Sequence, residues 1–252
     1  MTQDVSENEH KKKGQRIAKV IAHAGLCSRR DAEGWIEQGR VVLNGSVLDT
    51  PATLVTDKDN IVVDGKPLPK ANATRLFLYH KPVGLVTTHK DELGRETVFD
   101  TLPKNLPRVI SVGRLDLNSE GLLLLTTDGE LSRYLELPST GWSRRYRVRV
   151  FGDINKDKLD SLKGGIEVDG IKYGSIDVKI ESDKGMNAWL IVTLKEGKNR
   201  EIRRVMEAID LKVNRLIRLS YGPFQLGRLA RGNVKEIHRE ILENQMPGFF
   251  KA

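Results

Sequence analysis

A single acid stands between a glycine-led turn and a run of leucines, an arrangement that narrows what the chain can fold into. Gly113-Arg114-Leu115-Asp116 is followed by Leu117-Asn118-Ser119-Glu120-Gly121, and then by Leu122-Leu123-Leu124-Leu125-Thr126-Thr127-Asp128-Gly129. Residues 121–125 carry no polar side chain and have the length of one buried strand. An ionised carboxylate beside such a strand costs free energy unless a cation or hydrogen-bond donors answer it. On spacing alone the simpler reading of Asp116 is a turn residue that caps the next element. A carboxylate kept for chemistry is the other.

The 252 residues suffice for one large domain, or for a small domain joined to a larger one. No apolar run approaches the roughly 18 residues of a membrane span, and residues 1–10 lack the apolar core of a secretion signal. The lone cysteine, Cys27, rules out an internal disulfide and fits a reducing cytoplasm. There is no Cys/His cluster with metal-ligand spacing and no Gly-rich phosphate loop. A cytoplasmic protein without cofactor, metal or membrane partner is therefore expected, and a monomer is the expected state.

Lys and Arg total 42 against 34 Asp and Glu, a net charge of +8, which favours a polyanionic partner. The surplus is concentrated. Residues 11–40 hold eight basic side chains against three acidic ones, and residues 195–218 hold eight against four.

Residues 1–14 read as a disordered polar tail. Ile17, Val20, Ile21 and Ala24 share one helical face, which Gly25 ends. Ser28 is a good N-cap for a second helix over 29–38, and 41–48 reads as a hairpin with an Asn44-Gly45 turn. A further strand is expected over 60–63. Residues 15–67 thus form a helix-helix-hairpin module, with 68–74 as linker and 75–252 as a second domain. In that domain strands are expected over 75–79, 145–150, 176–180 and 188–194. Arg145, Arg147 and Arg149 alternate with Tyr146, Val148 and Val150, which gives a half-buried strand with a basic outer face. Helices are expected over 130–136, 155–162, 199–209 and 234–243. The fold class is α+β, with a mixed, mainly antiparallel sheet behind the small N-terminal module. Trp35, Trp142 and Trp189 read as core or domain-contact residues.

The module resembles the small RNA-binding domain first described in ribosomal protein S-four. The matching residues run from Arg16 through Lys19 and Gly25 to Ser28-Arg29-Arg30-Asp31, then Gly39-Arg40-Val41 and Asn44-Gly45. Arg29 and Arg30 open a helix whose N-terminal N–H groups attract phosphate. Arg16, Lys19, Ser28 and Arg40 complete the candidate RNA-binding set of the module.

The second domain resembles the RsuA family of pseudouridine synthases. The resemblance rests on Lys81-Pro82-Val83-Gly84, the run from Gly113 to Gly129, Arg144-Arg145-Tyr146-Arg147-Val148, and Gly197-Lys198-Asn199-Arg200-Glu201-Ile202-Arg203-Arg204. It implies that Asp116 is the catalytic carboxylate, that Arg203 is its cationic neighbour, and that Tyr146 packs on the target base. Lys81 and Pro82 are expected to shape the pocket or support the catalytic loop. Arg114, Arg144, Arg200 and Arg204 are candidates for phosphate contacts that offset the cost of flipping a uridine. The implied substrate is ribosomal RNA or an assembling subunit. The stretch from Arg215 to Gly232 most resembles the large-subunit branch. A small-subunit target, and a catalytically silent RNA-binding assembly protein, are the alternatives.

Overall fold

The computed structural model describes residues 14–71 and 73–250, so the expected tail over 1–14 lies almost wholly outside the described residues. The chain divides into two compact units between Ala73 and Thr74.

In the first unit, α1 (Ile17–His23) and α2 (Arg29–Glu37) pack on a small sheet of β1 (Val41–Leu43), β2 (Ser46–Val47), β3 (Ile61–Val63) and β4 (Lys66–Pro67). Asn44 and Gly45 both take positive φ, 51° and 88°, so the hairpin turns as the Asn-Gly pair demands. Ile17, Ile21, Ala32, Ile36 and Val41 are wholly buried and form the centre of the core. A capping box starts α2: Ser28 Oγ accepts from the Asp31 N–H at 3.1 Å, and Asp31 accepts from the Ser28 N–H at 3.1 Å.

The second unit is built on a nine-stranded sheet. Its strands include β5 (Leu76–Lys81), β6 (Ile110–Val112), β7 (Glu120–Thr126), β8 (Arg144–Phe151), β9 (Ile176–Lys184), β10 (Asn187–Leu194), β11 (Lys212–Tyr221) and β12 (Val234–Ile237). The main order is β9-β10-β8-β11-β7-β5-β12, with β6 paired to β7. Only the β7–β11 junction among these pairs is parallel, so the sheet is mixed and mainly antiparallel. The leucine run is the middle of β7. Leu123 and Leu125 feed the core on one side of the sheet, and Leu122 and Leu124 feed the core on the other. All four are fully buried, each worth about 1.5–3 kcal/mol of transfer free energy.

Gly121 is required where β7 meets β11. Its φ is 107°, and a Cβ there would lie 2.6 Å from the Arg218 nitrogen. The two backbones approach too closely for any side chain.

Helices α3 (Gly129–Glu136), α4 (Lys156–Ser161) and α5 (Glu201–Ala208) fall within the ranges expected of them, give or take a residue. The helix expected over 234–243 is corrected. Val234–Ile237 is a strand that pairs antiparallel with β5, and the helix α6 covers Arg239–Gln245. The three-residue spacing of Val234 and Ile237 suits one face of a helix, whereas in the strand the two feed opposite cores. The unpaired backbone of β5 decides it, and Glu236 reinforces the pairing through Arg75 at 2.5 Å.

Candidate active site

Asp116 sits on the loop between β6 and β7. Five successive carbonyls of that loop are each held by a donor. Thr87 Oγ1 donates to the Leu115 carbonyl at 2.9 Å. Lys81 Nζ donates to those of Asp116 at 3.2 Å and Ser119 at 2.9 Å. The Gly84 N–H reaches the Leu117 carbonyl at 2.9 Å, and Arg203 Nη2 reaches that of Asn118 at 2.9 Å. At the start of the loop Gly113 adopts a φ of 64°, and its N–H donates to Glu136 Oε1 at 3.0 Å. A loop whose polar backbone is this fully answered holds its side chains in one geometry.

Lys81 is wholly buried, and its third hydrogen bond goes to the Pro82 carbonyl at 3.0 Å. Burial pushes its ammonium down to about 8, against the charges of Asp116 and Glu120, which favour the proton. Glu120 anchors the loop's far end. It accepts from Arg215 at 2.5 Å and Arg231 at 3.0 Å. Burial raises its carboxyl, but the two guanidinium groups outweigh that and hold it below the ordinary carboxylate range.

With the backbone fixed, the Asp116 side chain, one-third exposed, reaches a cleft of about 590 Å³. The volume suits a nucleoside-sized group. Tyr146, Arg114, Arg144, Arg200, Glu201 and Arg218 line the same cleft. Tyr146 is buried on β8, opposite Val192 on one side and Arg218 on the other.

Arg203 is placed otherwise than its expected role as the carboxylate's partner. Its guanidinium donates to the carbonyls of Asn118 and Val213, at 2.9 and 3.1 Å, so it supports the loop from beneath. Burial and the charge of Arg200 weaken its hold on its proton, and the charge of Asp116 opposes them. Among the described residues the cation nearest the carboxylate is Arg200, with Nη1 3.9 Å from Asp116 Oδ2. Arg200 is aimed by a left-handed backbone, φ 51°, immediately before α5.

The other sequence candidates divide as well. Arg114 is exposed at the cleft, whereas Arg204 is not among its lining residues. Arg144 lines the cleft, but its guanidinium is engaged by the Lys195 carbonyl and by the Tyr221 hydroxyl at 2.7 Å. In the first unit Arg16, Arg29 and Arg30 are exposed and Lys19 is half-buried. Arg40 is forked onto Asp64 at 2.6 and 2.8 Å and lies 4.6 Å from the Trp35 ring centre. The α2 N-terminus is less open to phosphate than expected, because the Ser28–Asp31 capping box already occupies part of it. Ser28 is thus committed to the cap. Trp142 packs against Tyr221 and Phe224, at 6.4 and 5.9 Å between ring centres.

Two cleft residues were not foreseen. Glu201 is buried, accepts from the Lys198 N–H at 2.9 Å, and has its carboxyl pushed up by burial. Arg218 is buried on β11, with Nε donating to the Leu122 carbonyl at 2.7 Å. An arginine in the inward phase of 212–221 was the available signal.

Residues 75–208 match the model of the RNA pseudouridylate synthase family. The chain belongs to that family. Residues 15–61 match the S4 domain. A Rickettsia felis protein named as an uncharacterized RNA pseudouridine synthase is 51% identical over 229 residues, covering 91% of this chain and 99% of its own. The ribosomal large subunit pseudouridine synthase B of Yersinia pestis is 42% identical over 231 residues, covering 89% and 73%. A crystal structure of a pseudouridylate synthase shares the fold, with a TM-score of 0.65 at 24% identity over 90% of this chain and 98% of its own. The protein is an RNA pseudouridine synthase with an S4 domain ahead of the catalytic unit. Among the described residues no group of three His, Cys, Asp or Glu side chains could hold a metal ion, and no helix is long and apolar enough to cross a membrane.

Proposed function

We propose that this synthase isomerises a uridine of ribosomal RNA, in the large subunit, and that Asp116 carries the chemistry. The 42% identity to the Yersinia pestis large-subunit enzyme supports the choice of RNA. The observation that carries the catalytic assignment is the Asp116 carboxylate at a nucleoside-sized cleft, on a loop held at five successive carbonyls.

The reaction breaks the bond between uracil N1 and ribose C1′ and forms one from C5 to C1′. The proton on C5 is lost and N1 gains one, so no redox partner is required. A carboxylate that attacks and leaves, or that stabilises developing positive charge, serves this exchange. In this reading Tyr146 packs on the flipped base, Arg200 steadies the carboxylate, and Arg203 and Lys81 are positioning residues. Arg16, Lys19, Arg29, Arg30 and Arg40 extend the RNA contact to the S4 unit. The enzyme works as a cytoplasmic monomer on rRNA or an assembling subunit.

Ribosomal RNA labelled with tritium at uridine C5 tests the assignment. Wild type releases label in step with pseudouridine formation. Asp116→Asn binds the RNA equally and releases none. Release by the Asn variant at a comparable rate would remove Asp116 from the chemistry.

A further inference from the structure

The outward arginines of β8 find no place in the cleft. Tyr146 and Val148 point into the core, so Arg147 and Arg149 stand on the opposite face of the sheet. The strand register extends that face across four strands. Lys179, Ile191, Arg147 and Ile217 form one cross-strand row. Trp189, Arg149 and Arg215 form the next. Directly opposed residues share a face, so the two rows are neighbours.

Trp189 is half-buried on this open face rather than in a core. The Arg147 guanidinium lies 4.3 Å from its ring centre and that of Arg215 lies 6.0 Å away. Arg149 is exposed and contacts the neutral Asn187 side chain at 3.3 Å, and Lys179 is exposed on β9. Arg147 pairs with Glu181 at 2.6 Å, but both partners are more than one-third exposed, so the pair is cheap to open.

An indole flanked by guanidinium planes among further cations combines stacking with phosphate attraction, the two elements of single-stranded RNA binding. We propose that this face is a second RNA-docking surface, which takes an unpaired segment of the substrate outside the cleft. Phosphates engage Arg149, Lys179 and Arg147, and a base stacks at Trp189. β8 lies two strands in from the β9 edge, about 10 Å, so RNA leaving the cleft over that edge has a short path to this face. The proposal rests on the reading of the substrate as RNA.

The test compares a minimal target hairpin with an extended rRNA fragment carrying flanking single strands. Arg149→Glu/Lys179→Glu should bind the extended fragment at least tenfold more weakly at ~0.1 M salt, with the salt slope reduced by about 0.7 for each phosphate no longer neutralised. The hairpin should be bound and isomerised as by wild type. Tryptophan emission should be quenched by the extended fragment in wild type, and that quench should vanish in Trp189→Phe. Unchanged affinity and slope would overturn the proposal, as would quenching that survives in Trp189→Phe. A defect seen only on protein-containing particles, with naked RNA bound normally, would overturn it in favour of a protein partner. If wild type isomerises neither RNA, the proposed function is at fault. Binding of the extended fragment still decides the surface.

Discussion

In the S4 unit Arg29 and Arg30 stand exposed at the start of α2, whereas in the catalytic unit Arg203 and Arg218 turn their guanidinium groups onto main-chain carbonyls. In the proposed reading the same residue type serves opposite purposes. An exposed arginine adds a screened, interchangeable increment to RNA affinity, and its removal is read in the salt slope. A buried arginine or lysine fixes the backbone beneath the proposed reacting group, and its removal is read in turnover. Net charge alone hides this division, because both kinds count equally toward +8.

Among these cations the largest expected effect is at Lys81. Lys81→Met removes the hydrogen bonds to three main-chain carbonyls, that of Ser119 buried, and should lower kcat about 10- to 100-fold, with KM and the salt slope little changed. The wild-type pH profile sharpens this. Lys81 loses its proton near 8, and the neutral amine no longer supplies three N–H groups, so kcat should fall as pH rises through that value. Stability should move the other way. Between about 8 and the ordinary lysine value of 10.5 the unfolded chain keeps a proton that the folded chain has released, so this group's contribution rises with pH. Falling turnover without loss of stability therefore marks the loop. A Lys81→Met enzyme with wild-type kcat would break the division into positioning and binding cations.

A smaller, purely binding effect is expected at the other pole of the comparison. Arg29→Ala/Arg30→Ala should weaken binding to rRNA roughly tenfold at low salt and flatten the salt slope by about 1.4–1.8, while kcat on a minimal RNA stays unchanged. Filter binding across a salt series measures it, and a changed kcat with an unchanged slope would reverse the assignment.

The smallest effect belongs to Ser28. Ser28→Ala opens the capping box and should cost the S4 unit about 1 kcal/mol, read by hydrogen exchange in α2, with turnover intact. Loss of RNA affinity at full stability would instead place the hydroxyl on RNA.

The elements were legible wherever one period dominated. The alternation over 145–150 and the Asn44-Gly45 turn each point to one structure, the leucine run has the length of a buried strand, and each is found. Val234 and Ile237 were misread because their spacing matches the helical period, while the strand is fixed by pairing with a distant strand and buries the two on opposite faces. At the cleft, residue types revealed which groups gather near Asp116 but not how they are shared. Whether a guanidinium meets a carboxylate or a carbonyl depends on contacts 85 residues apart, as for Arg203 and Asn118. Arg200 approaches the carboxylate through a left-handed backbone at a non-glycine residue, which no local pattern announces. Lys81 was readable as a support, but not as the donor that joins three carbonyls.

The central claim is that Asp116 performs the isomerisation while the cations around it bind or position. Pseudouridine mapping of all rRNA from cells lacking this protein, complemented with wild type or Asp116→Asn at equal abundance, tests it most directly. The account predicts one large-subunit site that disappears in the deletion and returns only with wild type. Return of that site with Asp116→Asn would contradict it.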